Sequence, residues 1–293
     1  MLEKDTIITG KRAISRSYAK INLTLDVLSR RENGYHDIKM IMQTVSLFDL
    51  IIIDKTDSDI AIATNLRYLP NNEKNIAYKA ADAFFKETGI KSGVKIMIHK
   101  NIPVAAGLAG GSGNCAAVLT AMNMLYSNPL SKEKLMEIGA TLGADVPYCF
   151  DGSTQKAEGI GEILSPLPKM ADAYILLVKP PINVSTGAIY EEIDSAPIDV
   201  RPDTDAMINA LENKDIQGIA DNLCNVMEAV TVKMHPIVGG IKTKMIMNGA
   251  LGAVMSGSGP TVFGIFDDFE KAKKSADSFS LQFKDVYLTK VLN

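Results

Sequence analysis

The most restrictive feature of the sequence is a glycine-rich stretch at residues 103–114, which reads PVAAGLAGGSGN. Its small residues let main-chain N–H groups converge on one anion. A run rich in Ala, Leu and Met, from Asn114 to Tyr126, follows at once and predicts a helix. The unpaired first-turn N–H groups and the dipole of that helix would face the same anion. The stretch therefore predicts a phosphate-binding loop, and the alternative is a tight turn that packs a strand against a helix.

Known phosphate-binding patterns can be compared with this stretch directly. The pattern G-x-x-x-x-G-K-[ST] is absent, and so are the H-R-D and D-F-G signatures of protein kinases. Residues 111–116 fit the dinucleotide pattern G-x-G-x-x-A, but that pattern must directly follow a strand. Here about ten residues, Pro103 among them, separate it from a strand predicted at 94–99. A dinucleotide-dependent oxidoreductase stays open only as the less favoured alternative.

The apolar pattern along the chain predicts an α+β protein. Ile21, Leu23, Leu25 and Val27 alternate with polar residues, which is typical of a strand with one buried face. Helices are predicted at 76–85, between Asn75 and Gly89, and at 131–142, 186–193, 204–222 and 236–248. Residues 145–165 have a loop-like pattern, with glycines at 152, 159 and 161. Strands and helices do not alternate strictly, which argues against a doubly wound sheet.

Length, charge and cysteine content limit the classes of protein. A chain of 293 residues suits two domains, predicted here at 1–163 and 164–293. A net charge of −3 argues against nucleic acid as a partner. Three cysteines without C-x-x-C pairing indicate a reducing compartment. The charged N-terminus and strand-sized apolar runs indicate no signal peptide and no membrane partner, so we expect a cytoplasmic protein, either a monomer or a homodimer.

Four segments together resemble the GHMP kinases, the family of galactokinase, homoserine kinase and mevalonate kinase. Residues 103–117 are similar to that family's P-x-x-x-G-L-G-S-S-A-A motif, and 255–264 (MSGSGPTVFG) to its glycine-rich C-terminal motif. The segments AKINL at 19–23 with GYH at 34–36, and GADVPYC at 143–149, resemble a member whose alcohol substrate carries a cytidine diphosphate group. The resemblance implies an S5 domain 2-like N-terminal domain, a ferredoxin-like C-terminal domain and an active site in the cleft between them.

The resemblance also implies the reaction and its catalytic residues. The terminal phosphate of ATP, with Mg²⁺, would pass to an alcohol. Asp145 would be the general base that accepts the hydroxyl proton, and Lys20 would keep that carboxylate ionised and stabilise the transition state. Asp145 could instead cap a helix or turn before Pro147, and Lys20 could be an ordinary solvent-facing residue of its strand. No metal ligand is assigned.

The binding residues follow from the same resemblance. The expected ATP-binding residues are Asn75, Pro103, Ala106, Gly107, Leu108, Ala109, Gly110, Gly111, Ser112, Gly113 and Asn114. The expected substrate-binding residues are Asn22, Tyr35, His36, Lys100 and Tyr190. In this interpretation Tyr35 stacks on the cytosine base, His36 bonds the base edge and Tyr190 supplies a second aromatic wall. Asn75 could simply cap its helix, and Lys100 could be an exposed lysine.

The sequence departs from the family motifs in a few places. Ala109 and Gly113 stand where the family often has Gly and Ser, so Ser112 must supply any hydroxyl that the phosphate site needs. Residues 153–156 (STQK) replace the usual apolar run after the aspartate. These departures leave open a non-catalytic nucleotide-binding module. A GHMP kinase for another alcohol, such as homoserine or mevalonate, is a further alternative.

Overall fold

The computed structural model describes residues 1–195 and 198–293. The contacts between residues divide the chain into two compact units, each made of three segments of the sequence. The first unit comprises residues 1–19, 48–104 and 109–152, and the second comprises 20–47, 105–108 and 153–293. The predicted domain boundary after residue 163 stays a prediction.

The strands and helices of the described residues alternate irregularly along the chain. The strands are β1 (Thr6–Thr9), β2 (Arg12–Arg30), β3 (His36–Thr56), β4 (Ile60–Thr64), β5 (Gly93–His99), β6 (Thr154–Glu158), β7 (Ile163–Pro166), β8 (Tyr174–Lys179), β9 (Cys224–Asn225), β10 (Gly252–Met255), β11 (Val262–Phe266) and β12 (Asp285–Lys290). The helices are α1 (Ile76–Thr88), α2 (Gly110–Leu125), α3 (Lys132–Leu142), α4 (Val146–Asp151), α5 (Thr186–Ser195), α6 (Thr204–Glu212), α7 (Ile216–Asp221), α8 (Val226–Met234), α9 (Ile237–Met247) and α10 (Phe269–Ser280).

The first unit contains a sheet covered by helices. Its strand order is β1-β2-β3-β5-β4, and the parts of β2 and β3 that belong to this unit are those up to residue 19 and from residue 48. Strands β3 and β5 are antiparallel, and β4 and β5 are parallel. Helices α1 to α4 pack together, and their apolar side chains meet the inner face of the sheet. Ile51, Ile96, Phe84 and Leu119 lie in this core. Burial of such side chains provides about 1.5–3 kcal/mol each, so this core fixes α2 against the sheet from Cys115 onward.

The second unit contains an antiparallel sheet with the strand order β10-β11-β8-β12. Its central strands β8 and β11 are almost wholly apolar and buried, because helices cover the sheet. In the same unit β6 pairs with β3, and the short β9 pairs with β2 through Thr24 and Cys224. The α+β prediction is confirmed by the mixture of these sheets with helices.

Local signals placed several elements correctly. The alternating residues 21–27 lie in β2. Asn75 is the N-cap of α1, and Gly89 ends that helix with φ of 69°, in the left-handed region that favours glycine. Ser131 caps α3 by accepting a hydrogen bond from the main-chain N of Lys134 at 3.2 Å.

Three predictions of local structure were wrong. Helix α2 begins at Gly110 rather than Asn114, because the glycines form its first turn. Residues 145–165 are not a loop, since Pro147 stands in the first turn of α4 and β6 and β7 follow. The helix predicted at 204–222 is two helices, because Asp215 caps a new one by accepting from the main-chain N of Gly218 at 2.9 Å.

Within the described ranges, no helix combines the length and the apolar character that crossing a bilayer requires.

Candidate active site

The first turn of α2 is formed by the predicted phosphate-binding residues Gly110, Gly111 and Ser112. Ala109 occupies the N-cap position with φ of 54°, and its methyl side chain cannot accept a hydrogen bond from the first-turn N–H groups. Those groups have no partner inside the helix, so they can bind an anion. Gly111 is exposed, and a Cβ added there would meet nothing closer than an Ile76 methyl at 3.9 Å. The turn is therefore open at Gly111.

The segment that carries Asp145 lies beside this turn, within the first unit. A Cβ added at Gly143 would lie 3.8 Å from the Ser112 Oγ. Asp145 follows two residues later, half-buried at the N-cap position of α4. Its side chain makes no capping hydrogen bond to the described N–H groups of that helix, so capping does not explain the residue. The structure thus brings a hydroxyl and the segment of a carboxylate to the positive end of α2.

Lys20 is buried in β2 of the second unit, with 4% of its surface exposed. Its Nζ donates to the Oδ1 of Asn22 at 2.6 Å, so the solvent-facing alternative was wrong. Asn22 is fully buried and in turn donates to the sulfur of Met40 at 3.1 Å. The main-chain N of Lys20 donates to the carbonyl of Leu108 at 3.2 Å. The lysine thus belongs to a fixed polar group beside residues 105–108.

Two glycine-rich motifs that lie far apart in the sequence meet at Gly107. The Ser256 Oγ donates to the Gly107 carbonyl at 3.0 Å and lies 3.5 Å from the Asn22 Oδ1. Gly107 has φ of 73°, and an added Cβ would stand 2.1 Å from the Ser256 carbonyl oxygen. Asn225 secures the Ser256 turn, because its Nδ2 donates to the carbonyls of Met255 and Gly257 at 2.8 Å each.

Lys100 is buried rather than exposed, with 9% of its surface accessible. Its Nζ pairs with the buried carboxylate of Asp49 and donates to the Asn114 Oδ1 at 3.1 Å. The Asn114 Nδ2 donates back to Asp49 at 2.8 Å, and the main-chain N of Ile102 also donates to that carboxylate, at 2.9 Å. The positive charge of Lys100 is therefore paired within the protein, and the lysine connects Asn114 of α2 to Asp49 of β3.

Several glycines of the motif have packing reasons as well. A Cβ added at Gly110 would lie 2.9 Å from an Ile102 methyl, and one at Gly113 would lie 2.6 Å from the Ser17 Oγ. The absence of a side chain at Gly113 thus has a steric cause, since no serine would fit there without movement. The packing-turn alternative accounts for these two positions and for Gly107. It does not account for the open position at Gly111.

Asn75 has a structural role that is fully visible. Its Oδ1 accepts from the main-chain N of Ala77 at 3.0 Å, and its Nδ2 donates to the carbonyl of Pro70 at 2.9 Å. The capping alternative is confirmed for this residue. A role in ATP binding stays a prediction, as it does for Pro103, Ala106 and Leu108.

The predicted cytidine-binding residues lie together in the second unit. The rings of His36 and Tyr190 stack with centroids 4.3 Å apart and planes inclined by 9°. The His36 Nε2 lies 2.7 Å from the Oδ1 of Asp194. The other carboxylate oxygen of Asp194, Oδ2, pairs with Arg30 at 3.3 Å. Tyr35 is 60% exposed and its main-chain N bonds the Asn33 Oδ1 at 3.1 Å. Tyr35 therefore presents an accessible aromatic ring on the loop next to a buried histidine.

Sequence reasoning missed three residues that hold these groups in place. Asp49 is the single charged residue in the apolar run 47–53 of β3, and such an isolated charge is a signal for a buried ion pair. Asn225 directly precedes a helix, where asparagine is a frequent cap. Asp194 lies one helical turn after Tyr190, on the same face of α5.

Mg²⁺ has no cage of protein ligands in the described part of the chain, where no group of three His, Cys, Asp or Glu side chains could hold a metal. This donor set fits a magnesium ion that is bound mainly through nucleotide phosphates, with one or two protein oxygens. Near the start of α2 the chain offers the Ser112 hydroxyl, and the segment that carries Asp145 lies beside that hydroxyl.

Known proteins resemble the chain over nearly its whole length. The family model for the GHMP kinases N terminal domain matches residues 75–153, and the model for GHMP kinases C terminal matches 207–285. A 4-diphosphocytidyl-2-C-methyl-D-erythritol kinase of Alkaliphilus oremlandii is 48% identical over 97% of this chain and 98% of its own. The kinase of the same name from Caldicellulosiruptor saccharolyticus is 50% identical over 94% of this chain and 96% of its own.

A solved structure agrees with these relatives. The crystal structure of a 4-(cytidine 5'-diphospho)-2C-methyl-D-erythritol kinase superimposes with a TM-score of 0.83 at 29% identity, covering 96% of this chain and 99% of that one. Both domain models and the full-length relatives point to the same family. The chain belongs to the GHMP kinases.

Proposed function

We propose that this chain transfers the terminal phosphate of ATP to the 2-hydroxyl group of 4-diphosphocytidyl-2-C-methyl-D-erythritol, a step of the non-mevalonate route to isoprenoids. One observation carries the proposal. Relatives that share close to half of their residues with this chain, over nearly the full length of both, are kinases of this substrate. The open first turn of α2 beside the Gly143–Asp145 segment supports the same chemistry.

Each residue in the proposed mechanism has a physical task. The N–H groups of Gly110, Gly111 and Ser112 bind the phosphates and orient the terminal group for in-line attack. Asp145 accepts the proton of the substrate hydroxyl as its oxygen bonds to phosphorus. Lys20 supplies positive charge that stabilises the transferring phosphoryl group, and its hydrogen bond to Asn22 fixes the ammonium in one position. When bound, Mg²⁺ neutralises charge on the phosphate oxygens.

A panel of alcohols tests the proposal. Purified protein should release ADP from ATP and Mg²⁺ when 4-diphosphocytidyl-2-C-methyl-D-erythritol is added, and not when homoserine or mevalonate replaces it. Free cytidine nucleotides should inhibit weakly, because they occupy the site of the cytidine group. Turnover with homoserine or mevalonate, or nucleotide binding without turnover on any alcohol, would refute the proposal. We also propose that the protein acts in the cytoplasm as a monomer or homodimer, and that its partners include neither nucleic acid nor a membrane.

A further inference from the structure

The histidine proposed to recognise the cytosine base is held on two sides by helix α5. Tyr190 covers one face of the His36 ring, and Asp194 takes its Nε2 edge at 2.7 Å. The two contacts come from successive turns of one helix, so they fix both the plane and the rotation of the ring. His36 is 8% exposed, whereas the Asp194 side chain, at the solvent end of the pair, is 28% exposed.

The hydrogen bond to Asp194 limits where the hydrogen of a neutral His36 ring can lie. An ionised carboxylate can only accept a hydrogen bond, so the His36 Nε2 must carry the hydrogen in this pair. The Nδ1 of the neutral ring then presents a lone pair and acts as an acceptor. Arg30 pairs with the other carboxylate oxygen of Asp194 at 3.3 Å and keeps that side chain in position.

We propose that Asp194 is a positioning residue that fixes His36 as an acceptor at Nδ1 and thereby makes the site prefer a cytidine group over a uridine group. Cytosine presents an amino group on its edge, which donates to such an acceptor, whereas uracil presents a carbonyl oxygen at the same place. The oxygen would face the Nδ1 lone pair without a hydrogen bond. This inference rests on the proposed function, because it deepens the recognition of the substrate's cytidine group.

Nucleotide binding tests the proposal without requiring turnover. Calorimetry should show that the wild-type protein binds cytidine 5'-diphosphate about tenfold more tightly than uridine 5'-diphosphate, the value of one hydrogen bond. Asp194→Asn can accept or donate, so it permits both ring tautomers and should reduce the preference to about twofold or less. Asp194→Glu keeps an acceptor-only group and should retain part of the preference. Glu192→Gln removes a carboxylate of the same helix, paired with Lys233 at 2.9 Å, and should behave as wild type.

A spectroscopic measurement and a kinetic one separate positioning from a merely structural role. The ¹⁵N spectrum of the His36 ring should show hydrogen on Nε2 in the wild type and a mixture of tautomers in Asp194→Asn. In turnover assays the variant should raise KM for the cytidine substrate while KM for ATP and kcat stay unchanged. The proposal is overturned by an unchanged base preference in Asp194→Asn, or by a wild-type ring with hydrogen on Nδ1.

The outcomes also distinguish this inference from the proposed function. A wild-type protein without kinase activity on the cytidine substrate refutes the proposed function, whereas the base preference and the tautomer are measured on nucleotide binding alone. Conversely, normal kinase activity together with equal binding of the two diphosphates refutes only the role of Asp194.

Discussion

The Ser256 hydroxyl donates a hydrogen bond to the main-chain carbonyl of Gly107 across 3.0 Å, although 149 residues separate the two in sequence. This contact joins the two glycine-rich motifs of the chain, at 103–114 and 255–264. The first motif leads into the start of α2 and contains Gly107, which has φ of 73°. The second motif contains Ser256, which holds Gly107 in that conformation. The C-terminal motif therefore fixes the backbone of residue 107, three residues before the proposed phosphate-binding turn begins at Gly110.

Ser256→Ala tests that contact. Loss of the hydroxyl leaves the Gly107 carbonyl without this donor and should cost about 1 kcal/mol of unfolding free energy. It should also raise KM for ATP several-fold, because the loop is less well fixed. Ser258→Ala is the matched control, since the Ser258 hydroxyl bonds only an exposed partner, Thr186, among the described contacts. Equal KM values for ATP in the two variants would show that the contact is unimportant for binding.

Gly107→Ala and Gly111→Ala should behave in opposite ways. A methyl group at Gly107 would meet the Ser256 carbonyl and adopt a disfavoured φ, so the variant should lose about 2–3 kcal/mol of stability and most of its activity. At Gly111 the same methyl has room and keeps the main-chain N–H, so the free energy of unfolding should change little. Thermal or urea denaturation of both variants provides the comparison. Similar stability losses at the two positions would contradict the described packing.

Asp145→Asn should lower kcat by about 10²–10⁴-fold, because an amide cannot accept the hydroxyl proton. The melting temperature of the variant is measured beside kcat, so that a loss of turnover in a folded protein can be told from unfolding. Asp151→Asn on the same helix removes only an exposed pair with Lys132 and serves as control. Normal turnover of Asp145→Asn would remove this carboxylate from the mechanism.

Lys100→Met should destabilise the protein by about 3–5 kcal/mol, because it leaves the buried Asp49 carboxylate without its cation. Lys95→Met, in the preceding strand β5 and exposed, should change stability by less than about 0.5 kcal/mol. Urea unfolding of both variants measures the difference. If Lys100→Met affected only KM and left the unfolding free energy unchanged, the lysine would serve the ligand rather than the fold.

Cys115 should resist thiol reagents in the native protein. Burial inside α2 raises the pKa of its thiol to about 12, so the reactive thiolate is scarce at pH 8. Iodoacetamide followed by mass spectrometry should leave Cys115 unmodified until denaturant is added. Rapid labelling of native Cys115 at pH 8 would show that α2 opens readily.

The sequence predicted several structural elements around the candidate site, namely those that depend on local patterns. The glycines before an apolar helix, the cap at Asn75 and the alternation at 21–27 each carry their signal within a few residues. Longer-range relations could not be predicted in this way. The sequence predicted Lys100 as a substrate-binding residue, and its buried pair with Asp49 had no local signal because the two are 51 residues apart. The stacking of Tyr190 on His36 likewise joins residues that are distant in the sequence. The start of α2 was misplaced because glycine is a poor helix former, and here packing against Ile102 and Ser17 overrides that propensity.

The most direct test is a crystal structure with a non-hydrolysable ATP analogue and Mg²⁺. The phosphates should accept hydrogen bonds from the main-chain N–H groups of Gly110, Gly111 and Ser112, with the terminal phosphate directed toward Asp145. A triphosphate bound elsewhere on the protein, with the Asp145 carboxylate remote from its terminal group, would contradict the proposed site.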